Sequence, residues 1–377
     1  NTTMKKFAKK AIRELFNHSV RRHYDKAYRR LLKLNNILNK PCEGEDKWIE
    51  KWSVLGNANP VFYRLYSHYI GYDINILPED ICHYVIEPIL NPKAYIPYYA
   101  DKNIFDKLFK DGTMPKTIFR KMDGFLYDAD YRPLVLSNAK VLALLNSFNY
   151  ERIIVKPTID TDSGKGVRLY IRNADKWEDI KNGELLSLDS LNEIYGPNYI
   201  VQEALTQIED LAQYNPSSVN TIRLTVYRSV KDNECYIPSA IFRIGAKGEV
   251  VDNGHSGGKC IGIHSDGTLY NKVLNQYGET TTEFNGVDFS QEHKIPNWRE
   301  IVEFAKYVGR NIPHHRLLAL DIMLDKKGCP RLIEYNIKSC SVWLFQLTSS
   351  SVFGEFTDEV IGYCKNNLDK AQMVITL

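Results

Sequence analysis

Asp321, Glu334 and Asn336 can bring two carboxylates and an amide oxygen to one place. They fall in LLALDIMLDKKGCPRLIEYN, which reads as strand, turn, strand. Glu334 and Asn336 are two residues apart and so point to one face of a strand. A hairpin closed at Asp325 to Pro330 brings Asp321 to that same face. An oxygen-only set of this kind suits magnesium, which keeps waters or substrate phosphates as its remaining ligands. The flanking residues are strongly apolar, and burying both acids without a cation is costly. The plain alternative is the polar outer face of an antiparallel strand.

KPTIDTDSGKGVRLY, residues 156 to 170, offers chemistry of the opposite sign. Residues 151 to 155 lead in as a β-run and Val167 to Ile171 lead out with β alternation, so the stretch reads as a hairpin with a flexible cationic tip. Glycines there let a backbone approach an anion closely. The loop is not a Walker A sequence, since G-x-x-x-x-G-K-[ST] is missing, and an exposed hairpin tip is its plain alternative. Arg223 in NTIRLTVYR and Arg243 in CYIPSAIFRIG sit within strand-like runs, where a buried guanidinium needs partners. A core salt bridge is the competing reading. His255, His264, His314 and His315 lack metal-type spacing and are taken as structural or surface residues. Cys340, just past the candidate metal strand, is expected to pack, because nothing marks it as a thiolate.

The elements that must position these groups follow from patterning. The 377 residues, 44% hydrophobic and 25% charged, are enough for two or three lobes sharing real cores. No apolar run nears the roughly 18 residues of a membrane span, and Lys5 to Phe16 alternates charge with apolar residues where a signal peptide needs an apolar block. The expected location is the cytoplasm. The seven cysteines are scattered without a C-x-x-C pair, which favours reduced, packed thiols over disulfides or zinc. Residues 1 to 40 hold twelve Lys/Arg and two acids, about +10, against a formal total of +3 for the chain. Phe7, Ala11, Leu15 with Ile12, Phe16, Val20 predict one amphipathic helix, and Tyr24, Tyr28, Leu31, Leu32 a second. Such a basic arm can pack on a neighbouring lobe, or lie at the inner face of an anionic membrane as a peripheral contact. Residues 41 to 100 carry short helical patches such as Phe62 to Tyr69, with a mixed α/β region beginning there. ADKNIFDKLF predicts a helix with Asp101 near its start and Phe105, Leu108 and Phe109 on one face. A helix ending near Tyr195, the strand NYIVQEAL, a β-rich region from Asn220 and an amphipathic helix over Trp298 to Arg310 complete the series.

Taken together these features resemble the ATP-grasp superfamily over roughly residues 95 to 345. Lys102, Lys156, the loop Ser163 to Gly166, VQEAL, Asp210, Asp321, Glu334 and Asn336 occur in that superfamily's order. NPSSVNTIR, FRIG, VVDNGHSGGKCIGI and DGTLY look like its sugar-transfer-associated branch, found with bacterial surface-polysaccharide genes. The resemblance implies an α+β ATP-grasp fold, two α/β lobes sandwiching ATP after a mostly helical N-terminal region. Its expected boundaries are 1–90 for the helical region, 91–205 for the N-lobe with the glycine-rich lid, and 206–377 for the C-lobe with the magnesium and acceptor sites. By the same resemblance Lys102 and Lys156 contact the α- and β-phosphates, while Ser163, Gly164, Lys165 and Gly166 close over the phosphates as an anion nest. Adenine lies against Gln202, Glu203, Ala204 and Leu205 through backbone groups of Glu203 and Leu205. Asp210 takes the ribose hydroxyls, with Glu209 as a near neighbour.

The resemblance further implies that Arg243 goes to the γ-phosphate and Arg223 to the acyl phosphate or the acceptor's anion, with Lys156 counted among the catalytic groups. By the same resemblance Asp321, Glu334 and Asn336 are expected to hold Mg2+, and Asp252, Asn253, Ser256, Gly257 and Gly258 to line the acceptor pocket. The implied reaction activates a carboxylate with ATP as an acyl phosphate for attack by an amine, joining an amino acid or amine to a sugar acid. No nucleic-acid partner is implied. A kinase acting on a sugar or glycan, or an ATP-binding scaffold for glycosyltransferases, are the alternatives. Two departures fall where the acceptor should sit. Ala319 stands where many carboxylate-amine ligases have an arginine, so Arg223 or Arg316 must supply that charge. After EYN the chain runs IKSCSVWLFQ rather than toward a Pro-Gly turn.

Overall fold

The computed structural model describes residues 2–159, 165–249, 254 and 257–371. Ser163, Gly164, Asp252, Asn253, His255 and Ser256 lie outside the described residues.

One helix, Thr2–Leu34, replaces the two expected at the N-terminus. The chain has no glycine or proline before Pro41, so nothing interrupts the backbone ladder between Val20 and Tyr24. Tyr28 and Leu32 are buried against the helix Pro60–Ile70. That helix starts on Asn59, whose Oδ1 accepts from Val61 N at 3.1 Å, with Pro60 in its first turn. Residues 41 to 100 are helical rather than mixed, and the first strand begins only at Thr117. Two aromatic anchors explain this. Trp48 and Trp52 are fully buried, and their indole N–H groups donate to Ile76 O (2.7 Å) and Ile74 O (3.1 Å).

A buried ionic cluster joins these helices. His83 Nδ1 lies 2.9 Å from Glu87 Oε2 and its Nε2 3.8 Å from Glu79 Oε1, with Tyr24 stacked on the ring. Burial opposes the charged ring, but the two carboxylates outweigh it and raise His83 from 6.5 to about 10. This contribution to stability is complete below pH 6.5 and is lost as pH rises through 10. We therefore expect urea midpoints of the wild type to fall between pH 6.5 and 10 by the equivalent of about 2 kcal/mol. His83→Gln should flatten that slope; parallel curves would contradict it.

The large sheet holds β8 (Thr221–Arg228), β9 (Cys235–Tyr236), β10 (Ala240–Ile244), β11 (Lys259–Gly262), β12 (Val273–Leu274), β13 (Thr280–Thr281), β16 (Leu317–Leu324) and β17 (Pro330–Asn336). All its pairings are antiparallel, in the order β13-β12-β11-β10-β8-β16-β17, with β9 beside β8. β14 (Glu283–Phe284) and β15 (Val287–Asp288) form a separate ribbon. Period-2 alternation divides the two faces. Leu318, Leu320 and Ile322 join the core under the helix Trp298–Arg310, whereas Leu317 and Ala319 join the core shared with the N-terminal helices. Gly309 sets the spacing of that long helix, since a Cβ there would stand 2.7 Å from Val226.

The small sheet runs β3-β2-β1-β7-β4-β5-β6, again antiparallel. Its strands are β1 (Thr117–Met122), β2 (Phe125–Asp128), β3 (Pro133–Leu134), β4 (Arg152–Pro157), β5 (Arg168–Asn173), β6 (Lys176–Asp179) and β7 (Tyr199–Glu203). The helices Asn138–Asn146 and Leu188–Tyr195 accompany it, and Ser187 and Ser190 cap the second through a reciprocal pair of 3.0 Å bonds. β4 and β5 are the hairpin read from the sequence.

The helix expected over 100–109 is instead a turn followed by the short 3-10 segment Phe105–Leu108. Asp101 Oδ1 accepts from Asn103 N (2.9 Å) and Lys102 N donates to Thr158 O (3.0 Å), so local and tertiary bonds displace the helical ladder. Phe105, Leu108 and Phe109 do share one apolar environment, in the core of the large sheet.

Candidate active site

Four neighbouring strands place a row of charges on one face. β16 and β8 set Asp321 opposite Arg223, and β16 and β17 set Asp321 opposite Glu334. Arg243 comes from β10, next to β8. Arg223 grips Asp321 with two bonds, Nε to Oδ1 at 2.7 Å and Nη2 to Oδ2 at 2.6 Å, and Arg243 Nη1 adds a contact at 3.4 Å. Asp321 is only 4% exposed. Burial pushes its carboxyl up, yet the adjacent guanidinium charges of Arg223 and Arg243 hold it below the usual carboxylate range.

A β-bulge gives Glu334 its aim. Ile322 pairs with Leu332 while Asp321 pairs with Glu334, so Ile333 is the extra residue. Leu332 faces the core with Ile322, and the bulge reverses the alternation so that Glu334 joins Asp321 on the opposite face. Asn336 follows on that face opposite Ala319, its Nδ2 donating to Ala319 O at 3.3 Å.

The remaining cations come from above the row. Lys102 Nζ is 2.9 Å from Glu334 Oε1. The segment carrying it is tied to the end of β4 by Lys102 N and by Asn103 Nδ2, which donates to Thr158 Oγ1 at 3.0 Å. Lys156, two residues before Thr158, is pushed down to about 8 by burial; Glu334 acts to raise it and Lys102 to lower it. Among these residues four cations face two carboxylates. Converging cations of this kind attract a polyanion.

The donor set also fits magnesium: two carboxylates and an amide oxygen, each carboxylate oxygen retaining lone-pair capacity beyond its bonds to Arg or Lys. Among the described residues no three His, Cys, Asp or Glu side chains gather into a metal cage.

Other sequence-derived positions fall outside the row. Gln202 is buried, its Nε2 donating to Pro115 O (3.2 Å) and Thr117 Oγ1 (3.3 Å). The backbone N–H of Glu203 donates to Lys116 O (2.9 Å) and that of Ala204 to Arg152 O (3.1 Å). Glu203's carboxylate accepts from Lys116 N at 2.8 Å and meets Arg331 at 3.3 Å. Leu205 follows, half-buried, and Asp210 and Glu209 are exposed on the short helix Glu209–Ala212.

In the hairpin, Lys165 and Gly166 are exposed. Gly166 has φ of 76°, a conformation that favours glycine, and a Cβ there would crowd Pro157 Cγ at 3.1 Å. Gly257 and Gly258 lead into β11, whose Cys260 pairs with Arg243.

Of the two arginines weighed for the charge missing at Ala319, Arg223 stands beside Asp321. Arg316 reaches Ser229 O (2.8 Å) and Arg228 O (3.3 Å) at the far end of β16. Cys340 packs as expected, 1% exposed, with burial pushing its thiol well up. Sequence reasoning missed Ser341, which accepts from Arg223 Nη1 at 2.9 Å, and Glu87, which accepts from Cys340 N at 3.2 Å. Ser339 and Ser341 both have positive φ, 51° and 57°. The replacement of a Pro-Gly turn by SCS was the available signal for this loop.

Two antiparallel sheets, with lysines of one segment and hairpin set over carboxylates and arginines of the other sheet, define an ATP-grasp architecture. The family model described as sugar-transfer associated ATP-grasp matches residues 84–360, and the chain belongs to that family. No curated protein matches it. Among solved structures it is similar to the D-cycloserine synthetase DcsG, at 13% identity and a TM-score of 0.37 over 74% of this chain and 73% of that one. It is also similar to the ATP-grasp ligase PsnB complexed with precursor peptide and AMPPNP, at 13% identity, TM-score 0.39, 73% of this chain and 62% of that one. A third is N5-carboxyaminoimidazole synthetase from Staphylococcus aureus complexed with ADP, at 12%, TM-score 0.40, 72% and 54%.

Proposed function

We propose that the protein is an ATP- and Mg2+-dependent ligase that activates a carboxylate as an acyl phosphate for attack by an amine. The observation that carries this reading is the registered row Arg243, Arg223, Asp321, Glu334 beneath Lys102 and Lys156. Lys102 and Lys156 bind phosphate oxygens of ATP, and the hairpin tip closes over them to exclude water that would hydrolyse an acyl phosphate. Arg243 holds the transferring phosphoryl group, and Arg223, oriented by Asp321 and Ser341, holds the carboxylate in line with it. Asp321, Glu334 and Asn336 would hold Mg2+, which when bound neutralises charge on the β- and γ-phosphates. The amine then displaces phosphate to leave an amide, ADP and phosphate. The carboxylate is a sugar acid and its partner an amino acid or amine, serving surface-polysaccharide assembly in the cytoplasm; the family's association with sugar transfer supports the sugar half of this reading.

The test is ADP and phosphate release with Mg2+ and ATP across uronic acids crossed with amino acids, read by mass spectrometry. We expect a product one water lighter than its two precursors, and a rate at least about 100-fold lower for Glu334→Gln. A phosphate-bearing acceptor without condensation would make the protein a kinase instead.

A further inference from the structure

A cleft of about 500 Å3 is walled in part by the loop that follows Asn336. Its walls include Ile337, Lys338 and Ser339, immediately after the candidate metal strand, and Ile96 and Pro97, in the helix Ile96–Ala100 that leads to Lys102. The N-terminal helix supplies Phe16 and Val20. Much of the lining is thus apolar, which is the character of a small-molecule site.

Its charges are arranged with one sign in excess. Of the lining groups, His83 and Glu87 pair at 2.9 Å, with Glu79, outside the lining, 3.8 Å from the other ring nitrogen. Lys93 and Lys338 add two positive charges at the walls, and Lys93 Nζ sits 5.4 Å from the Phe16 ring centroid. The helix carrying Phe16 also exposes Ile12 and Leu15, the latter 71% exposed, so apolar surface continues outward from the mouth.

We infer that this cleft binds an amphiphilic anion: an apolar chain or ring lies along Phe16, Val20, Ile96 and Ile337, and Lys93 and Lys338 hold its carboxylate or phosphate. Its role as the body of the non-nucleotide reactant rests on the ligase reading above; its binding does not. Lys338 stands two residues after Asn336, and the helix Ile96–Ala100 precedes Lys102, so the cleft shares its walls with segments that carry the site.

The test uses the full chain without nucleotide, titrated by calorimetry with hexyl phosphate, octyl phosphate, octanol and inorganic phosphate below micellar concentrations. Octyl phosphate should bind about tenfold tighter than hexyl phosphate, as two further methylenes leave water. Octanol and inorganic phosphate should each bind at least about tenfold more weakly than octyl phosphate, because each lacks one half of the recognition. Lys93→Glu combined with Lys338→Glu should weaken octyl phosphate about tenfold, and Phe16→Ala should reduce the chain-length dependence.

Both changes lie at or near the surface, and circular dichroism checks that the fold is kept. Equal affinity for hexyl and octyl phosphate, or indifference to the lysine reversal in a folded variant, overturns the inference. Flotation on phosphatidic acid vesicles but not phosphatidylcholine, lost in the lysine variant, identifies a lipid headgroup as the source. Octyl phosphate binding without flotation identifies a free amphiphile. Because no ATP is present, failure here is distinct from failure of the ligase assay.

Discussion

Arg223→Met is expected to remove about 3 kcal/mol of folding free energy at pH 7, read from urea denaturation. Asp321 is nearly inaccessible and holds its charge through Arg223, with Arg243 more distant at 3.4 Å. Removing the closer partner leaves a buried carboxylate with reduced compensation, the mechanism behind the largest effects of single substitutions. The sign with pH follows from the lowered folded value. The Arg223 contribution is present above the ordinary 3.8 and disappears as pH falls through the folded pKa, so wild type and variant converge only in acid. Asp321→Leu in the Arg223→Met background should cost much less than in the wild type, giving a coupling of about 2 kcal/mol. Additive losses, or a single loss under about 1 kcal/mol, would refute a tightly paired site.

Lys156→Met should move two properties in opposite directions. Without nucleotide the variant should be more stable by about 1 kcal/mol at pH 7, since a depressed lysine costs the folded state energy whenever pH is below its folded value of about 8. That advantage should vanish above the ordinary 10.5, where the ammonium is neutral in both states. ATP affinity, by contrast, should fall by roughly 10- to 100-fold, because a charge-assisted bond to phosphate is lost from a desolvated position. Thermal melts in the presence and absence of MgATP separate the effects. A variant that is less stable in the absence of nucleotide, or that binds ATP normally, would show that Lys156 does not face the phosphates.

Much of the site was legible because Asp321, Glu334 and Asn336 sit on two strands joined by a recognisable turn. Glu334 and Asn336 share a face as their spacing requires, the turn after Asp325 brings Asp321 opposite Glu334, and the helix Trp298–Arg310 has the bounds its apolar stripe predicts. Long-range effects were not legible. The break expected near residue 22 needed a helix breaker that the chain lacks. The helix expected over 100–109 lost to an Asx turn and to the bond between Lys102 N and Thr158 O, made across more than fifty residues. Periodicity could place Arg223 and Arg316 in or beside strands but could not say which one met Asp321, since that depends on the register of β8 against β16. That the Glu203 N–H goes to Lys116 O follows from β7 lying between β1 and β4, a placement that only the fold reveals.

The bulge at Ile333 bears on how this strand can change length. In an ordinary strand, losing one residue inverts every side chain beyond the cut and would send Glu334 and Asn336 into the apolar core. Here deletion of Ile333 would leave Leu332 opposite Ile322 and Glu334 opposite Asp321, a regular ladder with each residue on its present face. The strand therefore carries a spare position immediately before its first acidic residue. A lineage could shed or regain it, trading local twist for straightness, without passing through a form whose carboxylate points the wrong way.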